Sequence, residues 1–129
     1  SVAREYVAQF SYEDWKNTLR KFLGNSAETM IRQEERERKY DKTTHPARLE
    51  KIVANWDTIV QILNEELPAY EQLAELLDKV GISADLETID VNSETAKLTF
   101  RATKDIRDKY VLSRLAWDLG ILDQLCELL

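Results

Sequence analysis

Seven apolar residues, Leu49, Ile52, Val53, Trp56, Ile59, Val60 and Leu63, recur at steps of three, one, three, three, one and three. Only a helix lines up positions with that spacing on one side, so the pattern predicts a helix over residues 46–67. Pro46 suits its first turn, where a missing amide proton is harmless, and Pro68 interrupts it. A helix with one apolar stripe must bury it against something, so other helices are required. The stripe predicts that Trp56, Ile59 and Leu63 lie in the core.

The rest of the chain supplies candidates. Val2, Tyr6, Val7 and Phe10 have helical spacing. Ser11 and Asp14 fit a capping box ahead of Trp15, Leu19, Phe22 and Leu23, and Gly24 fits the helix end. Residues 27–40 read as a polar, solvated helix containing RQEERERKY, with Glu34, Glu35 and Glu37 in water. Thr44 is placed to cap the 46–67 helix. After Pro68, the residues Tyr70, Leu73, Leu76, Leu77 and Val80 form a stripe that Gly81 stops. A turn through SADLETID leads to a helix capped by Ser93, carrying Ala96, Leu98, Phe100 and Ala102 and continuing towards Tyr110. Val111, Leu112, Leu115, Ala116 and Leu119 follow, then residues 121–129. Three Gly and two Pro in 129 residues leave little material for the tight turns of an all-β fold. No fixed-period repeat or flexible linker divides the chain. The expected architecture is all-α, a single helical bundle over residues 1–129.

Charge and composition narrow the function. A net charge of −6 argues against nucleic acid as a partner, because phosphate binding needs a cationic face. No apolar run approaches the roughly 20 residues that span a bilayer, so no membrane partner is expected. Arg4 and Glu5 break what would have to be the apolar region of a secretory signal. Cys126 is the only cysteine, which rules out an internal disulfide and suits a cytoplasmic location.

The search for reacting groups returns none: no catalytic, cofactor-binding or metal-ligating residue is assigned. His45 is the only histidine, and no H-x-x-x-H or C-x-x-C spacing exists for zinc. A surface or capping role is expected for His45, with a catalytic or ligand role as the sharper alternative. Cys126 lies among leucines and is expected to be a buried, inert thiol. Gly24, Gly81 and Gly120 are isolated, so no glycine-rich phosphate loop is present. One local imbalance stands out. Residues 101–114 hold five bases (Arg101, Lys104, Arg107, Lys109, Arg114) and two acids (Asp105, Asp108), which makes the segment +3. Ion pairing with neighbouring acidic helices is one reading. The other leaves these bases near the surface, where guanidinium groups match a small anion or phosphate.

The same region carries a family resemblance. ATKDIRDKYVLSRLAWDLGILDQL, preceded by LLDKVGISADLETIDVNSETAKLTF, resembles the C-terminal end of the sn-glycerol-1-phosphate dehydrogenase type of iron-containing alcohol dehydrogenase-like proteins. The shared pieces are the LL-x-x-x-G helix end, IRDKY, and L-x-x-L-x-x-x-x-G-x-L. They cover about residues 65–125, and the likeness is looser upstream. The resemblance implies a helical bundle like part of the C-terminal domain of a dehydroquinate synthase/iron-containing alcohol dehydrogenase-like enzyme. It implies a parent that reduces dihydroxyacetone phosphate with NAD(P)H and a divalent metal held by one aspartate and two histidines. The implied partners are an N-terminal dinucleotide-binding domain and, as a further option, a second subunit in a homo-oligomer. This sequence has no matching histidine pair and no nucleotide turn, so no site residue carries over, and the chain alone is expected to be inactive. The start at Ser1 rather than Met fits a piece of that larger enzyme. The alternative is a stand-alone helical protein-interaction module, using the charged 27–40 helix or the apolar C-terminus.

Overall fold

The computed structural model describes residues 2–83 and 85–129. Ser1, the unusual start, and Ala84, within the expected SADLETID turn, lie outside the described residues. The described residues are helical, with no strand among them. In order they form α1 (Val2–Gln9), α2 (Tyr12–Leu23), α3 (Ala27–Glu37), α4 (His45–Ala54), α5 (Trp56–Glu66), α6 (Tyr70–Lys79), α7 (Ser93–Ala102), α8 (Leu112–Asp118) and α9 (Leu122–Cys126). Short 3-10 turns occupy Gly24–Ser26, Leu86–Ile89 and Thr103–Asp105.

Several ends follow from local chemistry. Ser11 Oγ accepts from the Asp14 amide at 3.2 Å, which caps α2 as expected. Asn92, not Ser93, caps α7, its Oδ1 accepting from the Thr95 amide at 2.8 Å. Thr44 makes no side-chain cap; its hydroxyl donates back to the Asp41 carbonyl instead. The helix after Asn92 does not continue to Tyr110. It tightens into the 3-10 turn at Thr103–Asp105 and opens into bends.

The core gathers α1, α2, α3, α7, α8 and α9. Val7, Trp15, Leu19, Met30, Ile31, Tyr40, Ala116, Trp117, Leu122 and Cys126 are its buried members. α2 packs on α3, α9 on α7 and α8, and α1 on α4 and α8. Trp117 is the hub. Its ring meets those of Phe10 and Tyr40 edge-on at 5.3 and 5.1 Å between centroids, and Tyr6 and His45 also approach by their edges. Gly120 allows α1 to close over this hub. It has φ +76°, and a Cβ there would stand 3.0 Å from the Ala3 Cα and 3.1 Å from the Tyr6 Cβ.

The 46–67 helix is not one rod. It breaks at Asn55, whose side-chain amide donates to the Lys51 carbonyl at 2.8 Å and competes with the helical ladder. Upstream, Leu49 and Ile52 are buried; downstream, α5 has no buried residue. The expected core residues Trp56, Ile59 and Leu63 are therefore corrected. Trp56 is 42% exposed, and Ile59 and Leu63 are only half-buried. α6 likewise buries none of its residues. Among the described residues, the α4–α5 junction is the only extended contact that α5 or α6 makes with another element, and residues 56–82 are termed the arm.

Candidate functional site

The most unusual chemistry lies inside the bundle. After its exposed first residue, Leu112, every residue of α8 is buried: Ser113, Arg114, Leu115, Ala116, Trp117 and Asp118 are all out of water. A helix with no solvated face must pair every charge it carries, because an unpaired buried charge is very costly. Arg114 and Asp118 are paired in two separate centres.

The first centre is Asp105, which is fully buried at the 3-10 turn after α7. Its carboxylate accepts from Trp15 Nε1 at 2.6 Å and from the Tyr40 hydroxyl at 2.8 Å. Arg114 Nη2 donates to the other oxygen, and Lys104 Nζ lies 3.3 Å away. Arg114 Nη2 also donates to Glu34 Oε2 at 3.1 Å, and Lys39 Nζ reaches Glu34 Oε1 at 3.1 Å. Arg114 Nε and Nη1 find no hydrogen-bond partner among the described residues. Its guanidinium instead lies over the Tyr40 ring at 4.4 Å and near the Trp117 ring at 5.4 Å. The negative ring faces offset part of the cost of burying that charge. Lys104 Nζ sits 3.7 Å from the centre of the Trp15 ring.

The second centre is Asp118, at the end of α8. Arg48 from α4 grips it through two parallel bonds of 2.8 Å, from Nε and Nη2. The Tyr110 hydroxyl donates to Oδ2 at 2.6 Å. His45 Nε2 lies 2.9 Å from the Asp118 carbonyl, so that nitrogen carries the proton.

Burial shifts the titrating groups. Desolvation lowers the Lys104 ammonium to about 8, against the pull of Asp105. Burial raises the Glu34 carboxyl, with Arg114 opposing. Burial and the neighbouring Asp105 push the Tyr40 phenol well above its ordinary value. A lysine titrating near neutrality can serve covalent chemistry. Lys104 is not placed for it, being 1% exposed and pinned by Asp105, Trp15 and the Arg101 carbonyl. The cavities formed by Tyr70, Leu86, Asn92 and Leu128, and by Arg4, Leu49 and Val53, lie elsewhere. This network can fix helix positions.

These positions correct several expectations. His45 is buried and bonded, not a surface or capping residue, because its ring fills the space between α4 and Trp117. Glu34 is buried, not solvated, because Arg114 and Lys39 compensate it; Glu35 and Glu37 do face water. Lys104 and Arg114 are buried, not near the surface, while Arg101 pairs with Asp123 at 2.9 Å. Ion pairing thus accounts for three of the five bases, and Arg107 and Lys109 remain exposed. Cys126 is buried as expected, and desolvation raises its thiol. Leu115 and Leu122 are buried, while Leu112 faces out.

The described residues do not fit a metal. No group of three or more His, Cys, Asp or Glu among the described residues is arranged to hold a cation, and the single histidine is committed to a backbone carbonyl. Among the described residues no helix is long and apolar enough to cross a membrane. No family model, curated protein or solved structure matches this chain.

Proposed function

We propose that the chain is the C-terminal helical part of an NAD(P)- and metal-dependent sn-glycerol-1-phosphate dehydrogenase, in which it acts as scaffold and supplies no reacting group. The observation that carries this reading is a coincidence of two properties in one segment. The stretch KDIRDKYVLSRLAWDLG, one part of the resemblance over about residues 65–125, organises the interior. Lys104 and Asp105 build one charge centre with Arg114; Tyr110 and Asp118 build the other; Trp117 is the aromatic hub; and Gly120 admits α1. A motif whose charges are buried against each other serves folding, which suits the part of an enzyme that holds a domain in shape. In this reading the dinucleotide-binding domain, the divalent metal and the cytoplasmic setting belong to the longer protein.

The test is to express the complete coding sequence and assay dihydroxyacetone phosphate reduction with NADH and NADPH across divalent metals. The reading expects turnover in the long protein and none in the 129-residue chain. Absence of turnover with every metal and both cofactors overturns it. The second reading, a stand-alone interaction module, draws on the apolar C-terminal end, where Leu128 is 81% exposed. A coding sequence that begins at the start of α1 favours that second reading.

A further inference from the structure

The arm and the bundle divide the charge of the molecule very unevenly. Residues 56–82 hold six carboxylates and one lysine, a net of −5 out of the chain's −6. The lysine, Lys79, is already paired with Glu75 at 2.7 Å. The same arm exposes the longest run of uncovered apolar side chains, with Ile62, Leu73, Leu76 and Val80 each at least 45% exposed. The two features are interleaved. On α5, Ile59, Ile62 and Glu66 are spaced three and four apart and so share a face, which sets a carboxylate within the apolar strip. On α6, Leu73, Leu76, Leu77 and Val80 make one stripe, and Glu71 and Asp78, two turns apart, run along its flank.

We propose that this arm is a docking surface for a cationic amphipathic helix of a partner protein. The exposed apolar stripe of α6, like that of α5, asks for the apolar face of another helix. The surrounding carboxylates ask for lysine or arginine on the borders of that face. A second copy of the chain fits poorly, because it would set one −5 arm against another. The argument uses only the exposure and charge of the arm, so it stands apart from the dehydrogenase reading and from the scaffold formed by α8.

The experiment titrates the 129-residue chain with an amphipathic helical peptide of Lys and Leu and, separately, with its Glu/Leu counterpart, by calorimetry. Saturable one-to-one binding to the Lys/Leu peptide, weakened by salt, and no binding to the Glu/Leu peptide is the expected result. The double variant Leu73→Ser/Leu76→Ser, at exposed positions, should lose about tenfold or more in affinity with an unchanged circular dichroism spectrum. Glu66→Lys should lose affinity and flatten the salt dependence while keeping every arm leucine. Four outcomes overturn the proposal. These are no saturable binding, equal binding of the two peptides, full affinity in both variants, and concentration-dependent dimerisation that the double variant abolishes. The last would make a second copy the occupant.

Discussion

α8 and the α5–α6 arm reverse the usual relation between polarity and burial. α8 carries Arg114 and Asp118 within seven residues and buries every residue after Leu112. The arm carries the more regular apolar stripe, yet none of its α5 or α6 residues is buried. Hydrophobic spacing states which face of a helix is ready to be covered; it does not state that a cover exists. Whether a charge enters the interior depends on partners arriving from elsewhere in the chain. Trp15, Glu34 and Tyr40 reach the Asp105–Arg114 pair from sequence distances of 65 to 90 residues. Once met, such a pair resists being broken from one side, because the remaining charge stays buried without compensation.

The largest effect that sharpens this contrast belongs to Asp105. Asp105→Asn keeps the shape but sets an NH2 donor among groups that all donate, and it leaves Arg114 and Lys104 short of a counter-charge. Urea unfolding should show a loss of about 3–5 kcal/mol. A loss below about 0.5 kcal/mol, the range of ordinary surface changes, would mean that the network is not formed. Gly120→Ala comes next. An alanine must hold a left-handed conformation and push against Ala3 and Tyr6, so we expect a loss of about 2–4 kcal/mol from the sum of backbone strain and overpacking. Its thermal midpoint relative to the parent chain gives the measurement.

Lys104 supplies a pH signature. Its folded value of about 8 lies below the 10.5 of a free lysine. Between these values the unfolded chain binds more protons than the folded one, so stability rises with pH in that window. Tyr40 acts in the opposite sense above its ordinary 10.0, where only the unfolded phenol loses its proton, so stability falls at higher pH. The wild-type chain should therefore gain about 2 kcal/mol relative to Lys104→Met between about pH 8 and 10. Parallel stability profiles for the two chains would contradict the burial of a charged Lys104. The smallest effect belongs to the arm. Leu76→Ala, at a side chain 56% exposed, should change stability by less than about 0.5 kcal/mol, against about 2–5 kcal/mol for a buried leucine.

Helix content, the Ser11 cap and the burial of Trp15, Leu19 and Cys126 were legible because they follow from near neighbours and local spacing. The break at Asn55 was not, because a single asparagine inside a long apolar pattern gives only a weak local signal. The misplacement of Trp56 followed from it, since a continuous stripe carries no mark of where its cover ends. Glu34 and His45 were read as surface groups, and Lys104 and Arg114 as either ion-paired or near the surface, because charge and the lone histidine were judged by residue type. The available signal was α8 itself. In LSRLAWD Arg114 and Asp118, four apart, share a side, but Trp117 falls between Ser113 and Arg114 on it, so that side could not be given wholly to water. A short helix of that kind belongs at the centre, and its charges then need partners. Asp105 and Tyr110 lie nearby in the chain, but Glu34, Tyr40, His45 and Arg48 come from α3, the chain just after it and α4, and no local pattern links them to α8.

Native-state hydrogen exchange addresses most directly the claim that residues 104–120 hold the bundle together while the arm stands outside it. Each helix has its own backbone bonds, so differences in protection report how firmly tertiary packing holds each one. The account predicts that the amides of α8 exchange only through global unfolding, and that those of α5 and α6 exchange about a hundredfold faster or more. Arm amides protected to the same level as α8 would show α5 and α6 packed into the cooperative core, and would contradict the division of the molecule into a charged interior and an uncovered apolar arm.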